Sequence, residues 1–300
     1  MVMSFPIEVT EYTDAQCPWA WSAEPMKWRL RWLYGDALDW RTRMIVLASD
    51  SEHYAKIGFT AEQLAAGFAM FADRYGMPLD ATPRPRLGAT RPAAKAVVAA
   101  RVHSSRAVAE RLLRRLRVHA MTNPTALLEE EATITAAAAE AGIDTAVLER
   151  WLTDPAVERE LEADMLAARS PAPAAVHLHH KLARVTEDPS RWRYTAPSLV
   201  FTRAADRLTI ETPGFQPSLA YEVAVANLEP SLERRALPSD VGELLEWAGE
   251  PLATQEVAEV LGIGREAARE QLAAQAGAVE SRAGSDAFWS LDTAAVAQAA

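Results

Sequence analysis

The N-terminal residues alternate between strand and helix, and this pattern constrains the fold more than any other feature of the chain. Residues 7–12 (IEVTEY) alternate apolar with polar side chains, and residues 38–47 (LDWRTRMIVL) end in a continuous apolar run. Both patterns are typical of β-strands. Between them, four apolar residues recur at helical spacing: Trp21, Pro25, Trp28 and Trp32. We therefore predict a strand, a helix and a second strand, with a right-handed crossover that makes the two strands parallel.

The rest of the chain divides into stretches of different pattern. Residues 51–185 have helical periodicity without a convincing strand, whereas two short strands and a helix are predicted within residues 186–235. A further set of helices begins after Pro238. We therefore expect an α/β protein in which residues 1–50 and 186–235 form one domain. Residues 51–185 are then a helical insertion, and residues 236–300 form a C-terminal module.

Charge and cysteine content exclude several classes of protein. The 300 residues carry 31 Lys and Arg against 41 Asp and Glu, and the formal net charge of −10 disfavours binding to nucleic acid or anionic lipid. The N-terminal residues lack the pattern of a secretory signal, and no stretch of membrane-spanning length is free of charge. We therefore expect a soluble, cytoplasmic protein with no membrane partner. Because Cys17 is the sole cysteine, an intramolecular disulfide, a cysteine-rich zinc site and a cysteine-ligated iron–sulfur cluster are excluded.

The lone cysteine lies where the first predicted strand gives way to the helix. Pro18 follows it, and proline is tolerated in the first turn of a helix because its missing N–H would have no partner there. A helix N-terminus also offers partial positive charge to a thiolate, which lowers the pKa of a cysteine and increases its reactivity. We therefore predict that Cys17 is a partly ionised nucleophile. The alternative is a buried, inert thiol, which is the usual state of a free cysteine.

The segment around Cys17 resembles the active site of the DsbA family of the thioredoxin superfamily, including its cytosolic actinobacterial branch. Residues 17–20 (CPWA) stand where that family has Cys-Pro-x-Cys, and Pro25 stands where thioredoxins kink the following helix. Residues 195–197 (TAP) precede a strand at the place of the family's cis-proline loop. The resemblance covers about residues 5–230. It implies a thioredoxin-like fold with a large helical insertion.

The resemblance also implies a set of site residues. Cys17 would be the catalytic residue, and the residues around it and in the facing loop would bind substrate: Pro18, Trp19, Ala20, Thr195, Ala196 and Pro197. Trp19 lies off the helical stripe formed by the other tryptophans, so we expect an exposed aromatic side chain that lines a groove. Asp14 and Glu24 flank the cysteine and could accept a proton during exchange, with solvated residues of no catalytic role as the alternative.

Ala20 departs from the family pattern, because it replaces the second cysteine that resolves a mixed disulfide. Three functions remain open. Cys17 could act as a monothiol that exchanges with a small-molecule or protein thiol, or the site could bind a thiol conjugate for transfer or isomerisation. Alternatively, the chain is a non-catalytic adaptor, since residues 14–35 also resemble a thioredoxin-like adaptor that delivers a transcription regulator to a cytosolic protease. No bound cofactor is expected, and a low-molecular-weight thiol would be the co-substrate of the enzyme.

Two clusters of basic residues have weaker implications. The histidines of residues 177–180 have no acidic or thiol ligand nearby in the sequence, so we predict no metal site. The arginines of residues 111–117 are expected to lie on a solvated helix face.

The C-terminal module resembles a helix-turn-helix over residues 254–272 and, with the strand pattern FWSL at residues 288–291, a winged helix. The second helix of a DNA-binding protein presents basic or amide side chains to the bases, whereas arginine and glutamate alternate here over residues 265–270. We therefore expect the module to bind a protein partner or a second copy of the chain rather than DNA.

Overall fold

The computed structural model describes residues 6–185 and 188–292. Its N-terminal part runs through strand β1 (Ile7–Thr13), helices α1 (Pro18–Ser22) and α2 (Glu24–Tyr34), and strand β2 (Leu38–Met44). β1 and β2 are parallel, as the sequence pattern predicts. The single helix predicted between the two strands is interrupted at Ala23, where α1 ends and α2 begins. Each of the two helices has a proline in its first turn.

The segment after β2 is mainly helical. Its helices are α3 (His53–Lys56), α4 (Ala61–Tyr75), α5 (Arg91–His103), α6 (Arg106–Thr122), α7 (Glu131–Glu140), α8 (Thr145–Leu152), α9 (Pro155–Ala168) and α10 (Pro173–His177). A small hairpin follows, in which β3 (Leu182–Arg184) pairs with β4 (Trp192–Tyr194). The sequence pattern does not predict this hairpin, because three residues are too few to establish an alternation. Within the described parts of the chain, no helix is long and apolar enough to cross a membrane.

The main sheet is completed by β5 (Ser198–Arg203) and β6 (Thr209–Thr212), and α11 (Ser218–Leu228) follows them. Its strand order is β2, β1, β5, β6, with β5 antiparallel to both neighbours. Tyr12 near the end of β1 is paired with Ser198 at the start of β5. The residues that follow β1 and those that precede β5 therefore lie at the same end of the sheet.

The described C-terminal residues, 241–292, form three helices and a small antiparallel sheet. The elements are α12 (Val241–Ala248), β7 (Leu252–Ala253), α13 (Thr254–Leu261), α14 (Arg265–Ala274), β8 (Ala278–Ala283) and β9 (Asp286–Leu291). β9 lies between β7 and β8. Gly262 ends α13 in the left-handed conformation, which glycine adopts without strain. β8 is not predicted from the sequence pattern, because its side chains are mostly exposed and polar.

A continuous apolar core joins the main sheet and α2 to the C-terminal elements. Trp28 and Trp32 of α2 are buried, and the ring of Trp247 in α12 meets both edge-on, at centroid distances of 5.9 and 5.0 Å. The indole N–H of Trp21 donates to the carbonyl of Pro78 at 2.8 Å. The three tryptophans at helical spacing, Trp21, Trp28 and Trp32, are therefore core residues.

Side chains of the helical segment cover the outer edge of β2. Arg101 of α5 donates to the backbone carbonyl of Thr42, and Asp164 of α9 accepts a hydrogen bond from the backbone amide of Met44 at 3.1 Å. Arg101 and Asp164 also form an ion pair at 2.8 Å. These backbone groups of an edge strand thus have partners within the chain.

Candidate thiol site

Cys17 lies between β1 and α1, opposite the loop that precedes β5. It is the N-cap residue of α1, with Pro18 in the first turn. Its thiol donates a hydrogen bond to the carbonyl oxygen of Ala196, at an Sγ to O distance of 3.1 Å. The peptide bond between Ala196 and Pro197 is cis. The two segments that carry the resemblance, residues 17–20 and 195–197, therefore meet in one site.

The Cys17 thiol is buried and uncharged at neutral pH. Its residue is 5% exposed and packs in an apolar cluster with Tyr12 and Leu182. Burial raises the pKa of the Cys17 thiol to about 11, while the backbone N–H of Ala20 opposes the rise and the carboxylate of Asp14 adds to it. The prediction of a lowered pKa is wrong. α1 has only 5 residues, and the loss of water around the thiol outweighs the effect of this short helix.

Asp14 orders the turn that leads to Cys17. Its buried carboxylate accepts hydrogen bonds from the backbone amides of Gln16 and Leu47, at 2.8 and 2.9 Å, and from the hydroxyl of Thr90 at 2.7 Å. The alternative of a solvated residue is therefore wrong for Asp14. These bonds fix the loop before α1 against two distant segments of the chain.

Glu24 belongs to a cluster of buried charges behind the thiol site. Arg117 donates to Glu24 and, at 3.0 Å, to Glu11, while Lys27 pairs with Glu11 at 2.6 Å and Arg114 with Glu24 at 3.3 Å. Burial alone would raise the pKa of Glu24, but Arg117, Lys27 and Arg114 outweigh it and hold this pKa below its usual value. The carboxylate is thus a charged structural partner, and the solvated alternative is wrong here too.

Arg114 and Arg117 contradict the predicted solvated helix face, because α6 places both in the interior. They are 5% and 1% exposed. Arg114 also pairs with Glu256 of α13 at 2.7 Å, and its guanidinium lies 5.2 Å from the ring centroid of Trp21. The charge cluster therefore links the thiol-bearing part of the chain to the C-terminal elements.

An open groove of about 630 Å³ lies beside the thiol site. Trp19 is 39% exposed and lines the groove, as expected from the sequence. Its ring centroid lies 5.5 Å from that of Tyr75 and 5.4 Å from that of Phe215. The rings of Tyr75 and Phe215 are 5.0 Å apart. We call these three side chains the aromatic rim. Thr195 and Ala196 also line the groove, and Ala196 connects it to Cys17.

The remaining residues of the predicted site surround the thiol at other positions. Ala20 is 1% exposed and lines a small separate hollow that includes Glu11 and Pro197. Pro18 is partly exposed, and the hydroxyl of Thr195 donates to the carbonyl of Lys181 at 2.9 Å. Thr195 is therefore held by the chain's own backbone.

Residues 8–172 match the family model described as the DSBA-like thioredoxin domain. The chain belongs to this DsbA-like family. The family membership and the thioredoxin-like α/β fold expected from the sequence are thereby confirmed.

The solved structures that are similar to this DsbA-like chain include two with the same overall fold. One is a protein from Nitrosomonas europaea that is provisionally assigned as a protein disulfide isomerase, with a TM-score of 0.54 and 16% identity over 74% of this chain and 96% of that one. The other is a protein from Streptomyces coelicolor that is provisionally assigned as a DsbA oxidoreductase, with a TM-score of 0.53 and 19% identity over 78% of this chain and 94% of that one. No curated protein sequence matches the chain.

The DsbA-like site includes residues that the sequence analysis missed. Tyr75 and Phe215 complete the aromatic rim, and Lys181 lines the groove. Burial raises the pKa of the Tyr54 phenol, and Asp14 and Cys17 add to the rise. No local motif marks these residues, because the folding of distant segments brings them to the site.

The described residues of this DsbA-like protein include no group of three or more His, Cys, Asp or Glu that could hold a metal ion. In the histidine cluster, the ring of His179 packs instead against Trp192, at a centroid distance of 5.3 Å.

Proposed function

We propose that this DsbA-like chain binds an extended segment of a partner protein in the groove beside Cys17, without using Cys17 as a nucleophile. The observation that carries the proposal is the state of the thiol. It is 5% exposed, has a pKa raised by burial to about 11, and donates a hydrogen bond to Ala196. Because the thiolate is the reactive form, a thiol in this state is a weak nucleophile at neutral pH.

The absence of a second thiol supports the same conclusion. Ala20 stands where the family has its resolving cysteine, and Cys17 is the sole cysteine of the chain. A mixed disulfide on Cys17 could therefore be resolved only by an external thiol. A neutral first cysteine and a missing second one favour a binding role over turnover.

The groove itself favours an extended polypeptide. The loop with the cis bond contributes Thr195 and Ala196 to its wall, where backbone groups can meet the main chain of a bound segment. The aromatic rim offers large apolar surface to side chains of that segment, at a low cost in conformational entropy. Main-chain contacts would supply affinity, and the rim would supply selectivity.

Monothiol exchange is the second candidate, and the position of Cys17 at the start of α1 next to an open groove favours it. In this reaction the Cys17 thiolate attacks a disulfide R–S–S–R′. A bond forms between Cys17 and one sulfur, and R′–S⁻ leaves. An external low-molecular-weight thiolate then attacks the mixed disulfide and releases the Cys17 thiolate. Transfer or isomerisation of a bound thiol conjugate would use the same groove.

For the C-terminal module, residues 236–300, we propose a winged-helix-like unit that contacts protein rather than DNA. Its elements follow one another as a helix, a short strand, two helices and a hairpin, and this order supports the proposal. The basic side chains of α14 are engaged by the chain itself: Arg269 pairs with Asp286, and Arg265 reaches the carbonyl of Ala72 at 3.5 Å. They are thus not presented as a free basic surface for phosphates.

We further propose the domain division stated above, with residues 51–185 as an insertion between residues 1–50 and 186–235. A cytoplasmic location is also proposed, because a chain whose sole cysteine is unpaired suits a reducing compartment.

A peptide array tests the binding proposal. Blocked, cysteine-free peptides of varied sequence are screened against the full-length protein, and those that bind are measured by fluorescence anisotropy. We expect Cys17→Ser to bind them with unchanged affinity and Trp19→Ala to bind them roughly tenfold more weakly, as for an aromatic residue central to an interface. Leu166→Ala is the control, because Leu166 of α9 is an exposed apolar residue (63%) that does not line the groove.

The absence of any peptide whose binding depends on Trp19, or loss of binding in Cys17→Ser, would refute the proposal. Rapid formation of a mixed disulfide with an oxidised low-molecular-weight thiol at neutral pH, seen by intact-protein mass spectrometry after acid quench, would instead support monothiol exchange.

A further inference from the structure

We infer that the groove selects partner segments in which an acidic residue stands close to an aromatic or large apolar one. This inference rests on the proposed binding function and names the chemistry of the segment that the groove accepts. It is carried by two cations that line the groove together with the aromatic rim, Arg74 and Lys181.

Arg74 is exposed at the end of α4 and forms no ion pair with any residue in the described parts of the chain. Its guanidinium lies 5.5 Å from the ring centroid of Tyr75. Stacking on an aromatic face orients the planar guanidinium and leaves its N–H groups free for a carboxylate. Asp73 and Glu259 line a neighbouring hollow that Arg74 also borders, but neither carboxylate pairs with it.

Lys181 is the second cation. Its ammonium donates to the backbone carbonyl of Phe215 at 3.2 Å, and it has no carboxylate partner in the described residues. Because an ammonium carries three donors, two N–H groups remain for a ligand. The bond to Phe215 fixes this charge beside the aromatic rim.

The groove lining lacks the opposite charge. Among the described residues that line it, there is no aspartate and no glutamate, although the chain as a whole is acidic, with a net charge of −10. Elsewhere in the described structure, arginines such as Arg91 and Arg101 pair with carboxylates of the chain itself. The groove is therefore a local site of unmatched positive charge, and a carboxylate on the ligand complements it.

Charge and apolar surface together define the ligand. The rim rings lie 5.0 to 5.5 Å from one another and present a continuous apolar face. A segment with only acidic residues would leave this face uncovered, and one with only apolar residues would leave Arg74 and Lys181 without partners. A segment with both fits the whole lining.

Three blocked peptides of equal length test this inference on the full-length protein. The first alternates Glu and Phe, the second has Gln in place of Glu, and the third has Lys. We expect the Glu peptide to bind about tenfold more tightly than the Gln peptide, which corresponds to two exposed ion pairs of about 0.7 kcal/mol each. The Lys peptide is expected to bind most weakly, and the preference for Glu should shrink at high salt.

Variants separate the charge effect from the apolar one. The double variant Arg74→Gln, Lys181→Gln should bind the Glu and Gln peptides equally, while Arg150→Gln, an exposed arginine of α8 outside the groove, should keep the preference. Equal binding of the Glu and Gln peptides to the unaltered protein, in a manner that still depends on Trp19, would overturn the inference and leave the proposed function standing. If none of the three peptides binds in a Trp19-dependent manner, the inference is overturned as well, whereas the proposed function is decided by the peptide array.

Discussion

The ionisation of Cys17 gives a direct test of the site, because this residue is the sole thiol and any thiol measurement reports it alone. The perturbation is pH, and the readout is the rate of alkylation by iodoacetamide. Native protein is compared with the same protein unfolded in guanidinium chloride, in which Cys17 has the pKa of an ordinary cysteine.

The size of the effect follows from the raised pKa. At pH 7.5, a thiol of pKa about 11 is ionised about 300-fold less than one of pKa about 8.5. The thiolate of the native protein, with the higher pKa, is about 13-fold more nucleophilic than that of the unfolded protein, given a Brønsted coefficient of about 0.45. Ionisation alone therefore makes the native thiol react about 20-fold more slowly than the unfolded one. The 5% exposure of the residue slows it further.

The shape of the pH profile is more diagnostic than the rate at one pH. In the native protein the rate should rise about tenfold per pH unit up to about pH 10, whereas in the unfolded protein it should level off above about pH 8.5. Circular dichroism at each pH checks that the native sample remains folded. A native profile that levels off below about pH 9 would show that the thiol ionises readily, and the argument from burial would be wrong.

Three further predictions concern other parts of the structure. Ala20→Cys places a second thiol one helical turn from Cys17, so mild oxidation should produce an intramolecular disulfide, seen as the loss of two hydrogens by mass spectrometry. Arg117→Met leaves two buried carboxylates short of a partner and should cost about 3–5 kcal/mol, a fall in Tm of roughly 10 °C by calorimetry. Gly284→Ala would bring a β-carbon within 2.6 Å of the carbonyl oxygen of Leu79 and should lower the free energy of unfolding, measured by urea denaturation, by about 2 kcal/mol.

Each of these variants has a matched control. Ala23→Cys lies in the same segment as Ala20 but beyond the first turn, so it should form no intramolecular disulfide. Arg115→Met removes a partly exposed arginine of the same helix as Arg117, and should cost less than about 1 kcal/mol. Gly249→Ala has the same positive sign of φ as Gly284 but no neighbouring atom within 4 Å, so it should be the milder change. Equal effects of a variant and its control would contradict the structural reason given for it.

The position of the thiol site could be predicted from local sequence. Strand alternation, a cysteine and a proline at the strand end, and a proline-containing segment before a later strand are features of short segments. They place Cys17 at the N-cap of α1 and residues 195–197 opposite it.

The state of the site could not be predicted in this way. The burial of Cys17 depends on Leu182 and Ala196, which lie far away in the chain, so the local argument from the helix N-terminus overlooks the dominant effect. The burial of Arg114 and Arg117 likewise depends on carboxylates from other segments, since an arginine run has the same appearance in sequence whether its partners are protein or water.

The covered edge of β2 has a consequence for how these molecules meet one another. An unpaired edge strand can recruit a strand from a neighbouring molecule and so begin the growth of an intermolecular sheet. At β2, Arg101 and Asp164 already bond the carbonyl of Thr42 and the amide of Met44, two backbone groups that such a strand would need, and their own ion pair would have to be broken first. The helical segment thereby hinders the addition of a strand from another molecule at this edge of the sheet.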